Sequence, residues 1–127
     1  MRRLLSGGAI LLSVVSVAAA QEWKVSATAK AVKNPVARTA GMKDGKPLYE
    51  SNCVLCHGVA GKGDGPAGMA LNPKPRNLAD KAVQGETDGQ LFWKISEGRG
   101  VMPSFKSLTD KDRWSLVHYL RSLAEKK

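Results

Sequence analysis

The sequence predicts an all-α domain of short helices joined by long loops, and three observations predict it. Two threonines stand three residues ahead of a polar partner, Thr87 before Gln90 and Thr109 before Asp112, the spacing by which a side chain caps a helix start. Behind each, apolar residues recur every three or four positions, as one face of a helix requires. No stretch alternates apolar and polar residues between turn signals, so no sheet is expected.

Residues 1–20 come first. Arg2 and Arg3 precede an apolar run through Leu11, Leu12, Val14, Val15 and Val17, and Ala18-Ala19-Ala20 closes it. This is a secretory signal pattern, with cleavage expected before Gln21. The competing reading is an uncleaved membrane anchor, since Leu4 to Ala20 is near the lower limit for a span. Gly7, Gly8, Ser13 and Ser16 interrupt that run and favour cleavage. No later segment is apolar enough to cross a bilayer.

Residues 21–40 form an N-terminal extension without sustained periodicity. Trp23 and Asn34-Pro35-Val36 are its pointed features, and it is expected to be loose or to lie along the domain surface. The domain proper spans 41–127. Asp44 can cap a first short helix, and Pro47 is tolerable in a first turn, where amides have no helical partner. Leu48 and Tyr49 lead from it toward Cys53. A long connection follows, with Gly61-Lys62-Gly63-Asp64-Gly65-Pro66 and then Asn72-Pro73-Lys74-Pro75-Arg76-Asn77. A phosphate loop is excluded, because Gly-Lys-[Ser/Thr] is missing and no strand leads in. One carboxylate, Asp64, does not make a calcium site and reads as a turn residue. The middle helix runs from the Thr87 cap through Leu91, Phe92 and Ile95 to a stop at Gly98. The last helix sets Leu116, Tyr119, Leu120 and Leu123 on one face, with His118 on the polar side beside Ser115 and Ser122. Trp93 reads as a packing or pocket residue, and Trp114, off the main stripe, as folding back over the middle helix. No internal repeat is visible.

The long connection wraps something large and flat, and Cys53-Val54-Leu55-Cys56-His57 says what. C-x-x-C-H is the attachment signature of a c-type haem. Two thiols at this spacing can add to the two vinyl groups along one porphyrin edge, and the adjacent imidazole is then delivered to iron. These are the only two cysteines of the chain. A zinc site would need four ligands, which one C-x-x-C and two distant histidines do not supply. A thioredoxin-like pair would follow a buried parallel strand, and none precedes Cys53. A plain disulfide would leave His57 unexplained. For the other side of the iron the candidates are Met102, Met69 and His118. Met102-Pro103 sits between the last two helices, and a thioether favours the reduced metal. Met69, close behind His57, would require a short loop to pass around the porphyrin edge. His118 would have to turn inward at the expense of the apolar stripe.

In order and spacing the chain resembles a class I cytochrome c from about Gly41 onward: Gly45-x-x-x-Tyr49, Cys53-x-x-Cys56-His57, a Gly/Pro-rich loop, a middle helix, Met102-Pro103, and a closing helix with Tyr119-Leu120. The resemblance implies a small cytochrome c fold around one haem c bound covalently through Cys53 and Cys56, with His57 and Met102 as axial ligands. It also implies that the first and last helices cross closely at Gly45, with Tyr49 and Tyr119 packing across. A proline carbonyl is expected to orient the imidazole, Pro66 first, with Pro73 and Pro75 left open. The short Gly98-Arg99-Gly100-Val101 approach and Pro47 in the first helix depart from commoner relatives.

The chain carries 20 Lys and Arg against 11 Asp and Glu, a net +9 that becomes +7 once Arg2 and Arg3 are removed with the signal. The excess is spread along the chain, and no basic helix or stacking motif marks a nucleic-acid binder. An acidic redox partner, such as an oxidase, reductase or dehydrogenase, or an anionic surface fits better. The expected protein is a monomeric periplasmic electron carrier and not an enzyme. It would touch a membrane only if residues 1–20 stay attached. The alternative is a peroxidase-like haem enzyme or gas sensor with a vacatable sixth position.

Overall fold

The computed structural model describes residues 22–124; the expected signal, residues 1–20, lies outside them. Six helices follow in order: α1 (Ala27–Ala31), α2 (Arg38–Asn52), α3 (Val54–His57), α4 (Lys81–Gln84), α5 (Asp88–Glu97) and α6 (Asp110–Leu123). A 3-10 turn, Gly68–Ala70, interrupts the long connection. The described residues contain no strand, only a bridge between Arg99 and Met102. The all-α expectation holds, and no helix among the described residues is long and apolar enough to cross a membrane.

The caps explain where the helices of the second half begin. Thr87 Oγ1 accepts from the Gln90 amide at 3.1 Å while the Gln90 side chain accepts from the Thr87 amide at 2.9 Å, closing a capping box on α5. Thr109 accepts from the Asp112 amide at the start of α6, and Asp80 from the Val83 amide at the start of α4. Gly98, at φ 67°, ends α5 where the sequence predicted a stop.

The first helix departs from expectation. α2 begins at Arg38, not near Asp44, so Pro47 lies well inside it and Ala37 occupies the cap position without a side-chain bond. Pro47 has no N–H to give the Lys43 carbonyl one turn earlier. Lys43 is exposed, so water can reach that carbonyl. The helix is held by packing: buried Gly41, Gly45 and Tyr49 face α6. A Cβ at Gly45 would overlap the Ser115 carbonyl and stand 2.9 Å from Tyr119 Cβ, so only bare backbone admits this approach.

Helix α6 is the centre of the core. Leu116, Val117 and Leu123 are fully buried with Tyr49 against them. Its polar face is buried as well: Ser115 is at 0 % and His118 at 8 % exposure, which corrects the expectation of a simple apolar stripe. That face lies under α2 and the extension, where His118 and Ser122 find backbone partners while the Ser115 hydroxyl has none. His118 Nε2 lies 2.7 Å from the Val36 carbonyl, and since a carbonyl only accepts, Nε2 carries the proton. Trp114 stacks on Phe92 at 3.9 Å with planes 13° apart, over the middle helix as predicted. The extension lies along the surface, but it also holds the unpredicted α1, capped by Ser26 and packed on α5.

Candidate haem site

Cys53 is the joint between α2 and α3. Its φ of −120° breaks the helix axis, and α3 is the single turn that carries Cys56 and His57. The Cys56 and His57 amides both donate to the Cys53 carbonyl, at 3.2 and 2.8 Å, fixing the two thiols and the imidazole in one turn. Gly58, at φ 80°, ends the turn, and its carbonyl accepts from Tyr49 Oη at 2.7 Å. The connection then folds back on the motif: Gly63 donates to the His57 carbonyl, Gly65 to that of Cys56 and Ala67 to that of Leu55, at 2.8 to 3.1 Å. The glycine-rich stretch therefore pins the haem-attachment backbone rather than holding a phosphate.

Burial pushes the Cys53 thiol up to about 12, with Cys56 beside it adding to the effect, so Cys53 enters any reaction as the neutral thiol. Burial lowers the pKa of His57, and a backbone bond to Arg76 opposes it. His57 Nδ1 lies 3.4 Å from the Arg76 carbonyl, which stands where a proline carbonyl was expected. The reason is local. The Pro75 carbonyl is turned against Gly63, closely enough that a Cβ there would overlap it, and the next carbonyl faces the ring. A proton held on Nδ1 leaves Nε2 free to bind a metal.

Met102 comes from the loop between α5 and α6. Arg99 and Met102 exchange backbone bonds of 2.9 and 3.0 Å across Gly100-Val101, so the short approach to Met102 is a tight two-residue turn. Beyond it, the Phe105 amide donates to the Ile95 carbonyl at 3.1 Å and Ser104 Oγ to that of Ser96 at 2.6 Å, tying the loop to α5.

One cavity of about 1000 Å³ is lined by Cys53, Cys56, His57 and Met102 together. Its walls are mainly apolar, with Leu71, Leu78, Val83, Leu91, Ile95, Phe105, Leu116 and Leu120. Lys74, Arg76, Lys94 and Arg99 also line it. Thiol, imidazole and thioether around a large apolar space fit a haem group. Met69 sits on the 3-10 turn at 55 % exposure and outside this lining. His118 is outside it too, engaged with Val36. Trp93 is half-buried and not among the lining residues; Trp23, from the extension, is. Sequence reading singles out Trp23 but gives it no place at the site, and it misses the Lys94–Glu86 ion pair at 2.7 Å and the Arg76 carbonyl. No local pattern announces any of them, because each arrives from a different segment.

Residues 40–120 match the family described as cytochrome c oxidase, cbb3-type, subunit III. The chain is 38 % identical over 68 residues to the cbb3-type cytochrome c oxidase subunit FixP of Bradyrhizobium diazoefficiens, covering 52 % of this chain and 21 % of that one. It is 31 % identical over 94 residues to cytochrome c6 of Synechocystis, covering 71 % and 72 %. A solved structure, the Kuenenia stuttgartiensis reducing HAO-like protein complex Kustc0457/Kustc0458, superposes with a TM-score of 0.60 at 31 % identity, over 72 % of this chain and 49 % of that one. The chain thus spans about a fifth of FixP but most of cytochrome c6. It belongs to this family of class I c-type cytochrome domains, which bind haem c covalently.

Proposed function

We propose that the protein is a periplasmic electron carrier in which Cys53 and Cys56 hold haem c and His57 and Met102 are the axial ligands. The observation that carries this reading is the single cavity lined by those four residues, with Met69 and His118 outside it. Haem c, when bound, supplies a one-electron Fe(III)/Fe(II) couple. The chain's own work is to hold both ligands still. The Arg76 carbonyl orients His57, and the Arg99–Met102 turn with its ties to α5 holds the thioether. Apolar side chains from α5 and α6 form much of the cavity wall.

Export rests on the signal pattern of residues 1–20, with cleavage before Gln21 giving a soluble monomer. The partners are redox proteins of a respiratory chain, an oxidase, reductase or dehydrogenase, with an acidic docking face that complements the basic excess. Visible spectroscopy of Met102→Ala, Met69→Leu and His118→Ala tests the ligand set. Only the first should erase the weak sulfur–iron band at the red end of the oxidised spectrum, lower the potential and open the iron to carbon monoxide. A band surviving in Met102→Ala would refute the assignment. Ready binding of carbon monoxide by the wild type would favour the peroxidase-like or gas-sensing alternative.

A further inference from the structure

Residues ahead of α2 are fastened to the domain at several points. Val25 is buried at 8 % exposure. Thr87 Oγ1 donates to the Lys30 carbonyl at 2.8 Å, and the Asn34 amide to the Trp114 carbonyl at 3.1 Å. His118 reaches the Val36 carbonyl from beneath. Where α1 meets α5, a Cβ on Gly89 would overlap the Ala29 carbonyl and stand 2.9 Å from that of Val32, so the contact requires bare backbone. These ties bring Trp23 to the cavity that His57 and Met102 line. The Lys94 ammonium lies 5.4 Å and the Arg99 guanidinium 5.6 Å from its ring, both within cation–π range.

We infer that residues 22–37 are a strap belonging to the haem-binding domain, and that Trp23 is a positioning residue that covers the cavity and raises the reduction potential of the bound group. The inference rests on the carrier reading for its redox consequence. Oxidation adds one positive charge inside the site, and water stabilises that charge while apolar cover does not. An indole over the cavity excludes water, and this cover carries the effect, because the Lys94 charge beside it is offset by Glu86. Burial is one of the means by which a protein tunes a haem potential.

The test uses the holoprotein and three variants. Trp23→Ala removes the cover, and Trp23→Phe keeps an aromatic ring. Gly89→Ala pushes the strap off α5 from a position that does not line the cavity, and alanine there favours the helix itself. In redox titrations Trp23→Ala and Gly89→Ala should both shift the oxidised-to-reduced ratio about tenfold toward the oxidised form at fixed solution potential, ~59 mV downward for a one-electron couple. Trp23→Phe should stay near the wild type. An unmoved potential in Trp23→Ala, with covalent haem and the sulfur–iron band both present, overturns the role of Trp23. A shift in Trp23→Ala without one in Gly89→Ala overturns the strap as its support. Limited trypsin digestion reads the strap independently of ligation: cuts after Lys30 and Lys33 should be slow in the wild type and faster in Gly89→Ala. Equal rates overturn the docked strap, whereas loss of the sulfur–iron band from the wild type alone counts against the ligand assignment.

Discussion

Tyr49 and Tyr119 meet with ring centroids 5.1 Å apart and planes tilted by 46°, across the crossing of α2 and α6 that Gly45 makes close. The tilted geometry is one that aromatic quadrupoles favour, and the pair joins the helix that leads into the haem-attachment turn to the helix that closes the chain. Gly45→Ala is therefore expected to lower stability by about 1–3 kcal/mol, the usual cost of overpacking a tight contact. Guanidinium unfolding followed by circular dichroism measures it. A variant as stable as the wild type would mean that the helices can separate at no cost.

Tyr49 also predicts how stability depends on alkaline pH. Burial holds its phenol well above the ordinary value of 10.0. The unfolded chain releases that proton near pH 10 while the fold retains it, so the fold then binds more protons than the unfolded state. The stability this residue contributes is complete below that pH and is lost as pH rises above it. Tyr49→Phe should lower stability at neutral pH by about 1–3 kcal/mol, because the Gly58 carbonyl loses its donor. It should also flatten the alkaline decline by up to about 1.4 kcal/mol per pH unit. Urea midpoints of the two proteins from pH 7 to beyond pH 10 check both effects.

Docking should depend on salt. Lys74 and Arg76 from the long connection, Lys94 from α5 and Arg99 just beyond it gather around the cavity. Electron transfer to an acidic partner should slow as ionic strength rises, over the range in which the Debye length falls from ~30 Å to ~8 Å. Stopped-flow rates at several salt concentrations measure this. A flat profile would shift attention to exposed apolar residues such as Leu55, Val59 and Val101.

The parts of the fold legible in the sequence were those written in neighbouring residues. Thr87 with Gln90, Thr109 with Asp112, Gly98, and the Cys53-to-His57 spacing each state their chemistry within five positions. Helix α2 was harder because its signals point the wrong way: Asp44 looks like a cap and Pro47 like a first-turn residue, while the Gly41–Gly45 contact that sustains the helix comes from α6. His118 falls on the polar side of the last helix by periodicity, which assumes a solvent side, and the extension covers that side. Pro66 was preferred over the Arg76 carbonyl because backbone acceptors have no residue-type signature; the turn of Pro75 against Gly63 decides which carbonyl faces the ring.

The α2–α6 crossing also divides the molecule into a base and a ring of chain. Both thiols, the imidazole, the Arg76 carbonyl and Met102 belong to the stretch between Gly45 and Tyr119, whose two ends the crossing ties together. Loop-closure entropy grows only slowly with length, so insertions in the exposed part of the ring, around Met69, strain the base little. A change at Gly45 or Tyr119 instead loosens the part of the cavity wall that the ring supplies, Cys53 to Leu116, at once. The connection between α3 and α4 can thus take up extra length at its exposed turn near Met69, whereas its ties to the Cys53–His57 turn and the α2–α6 crossing cannot.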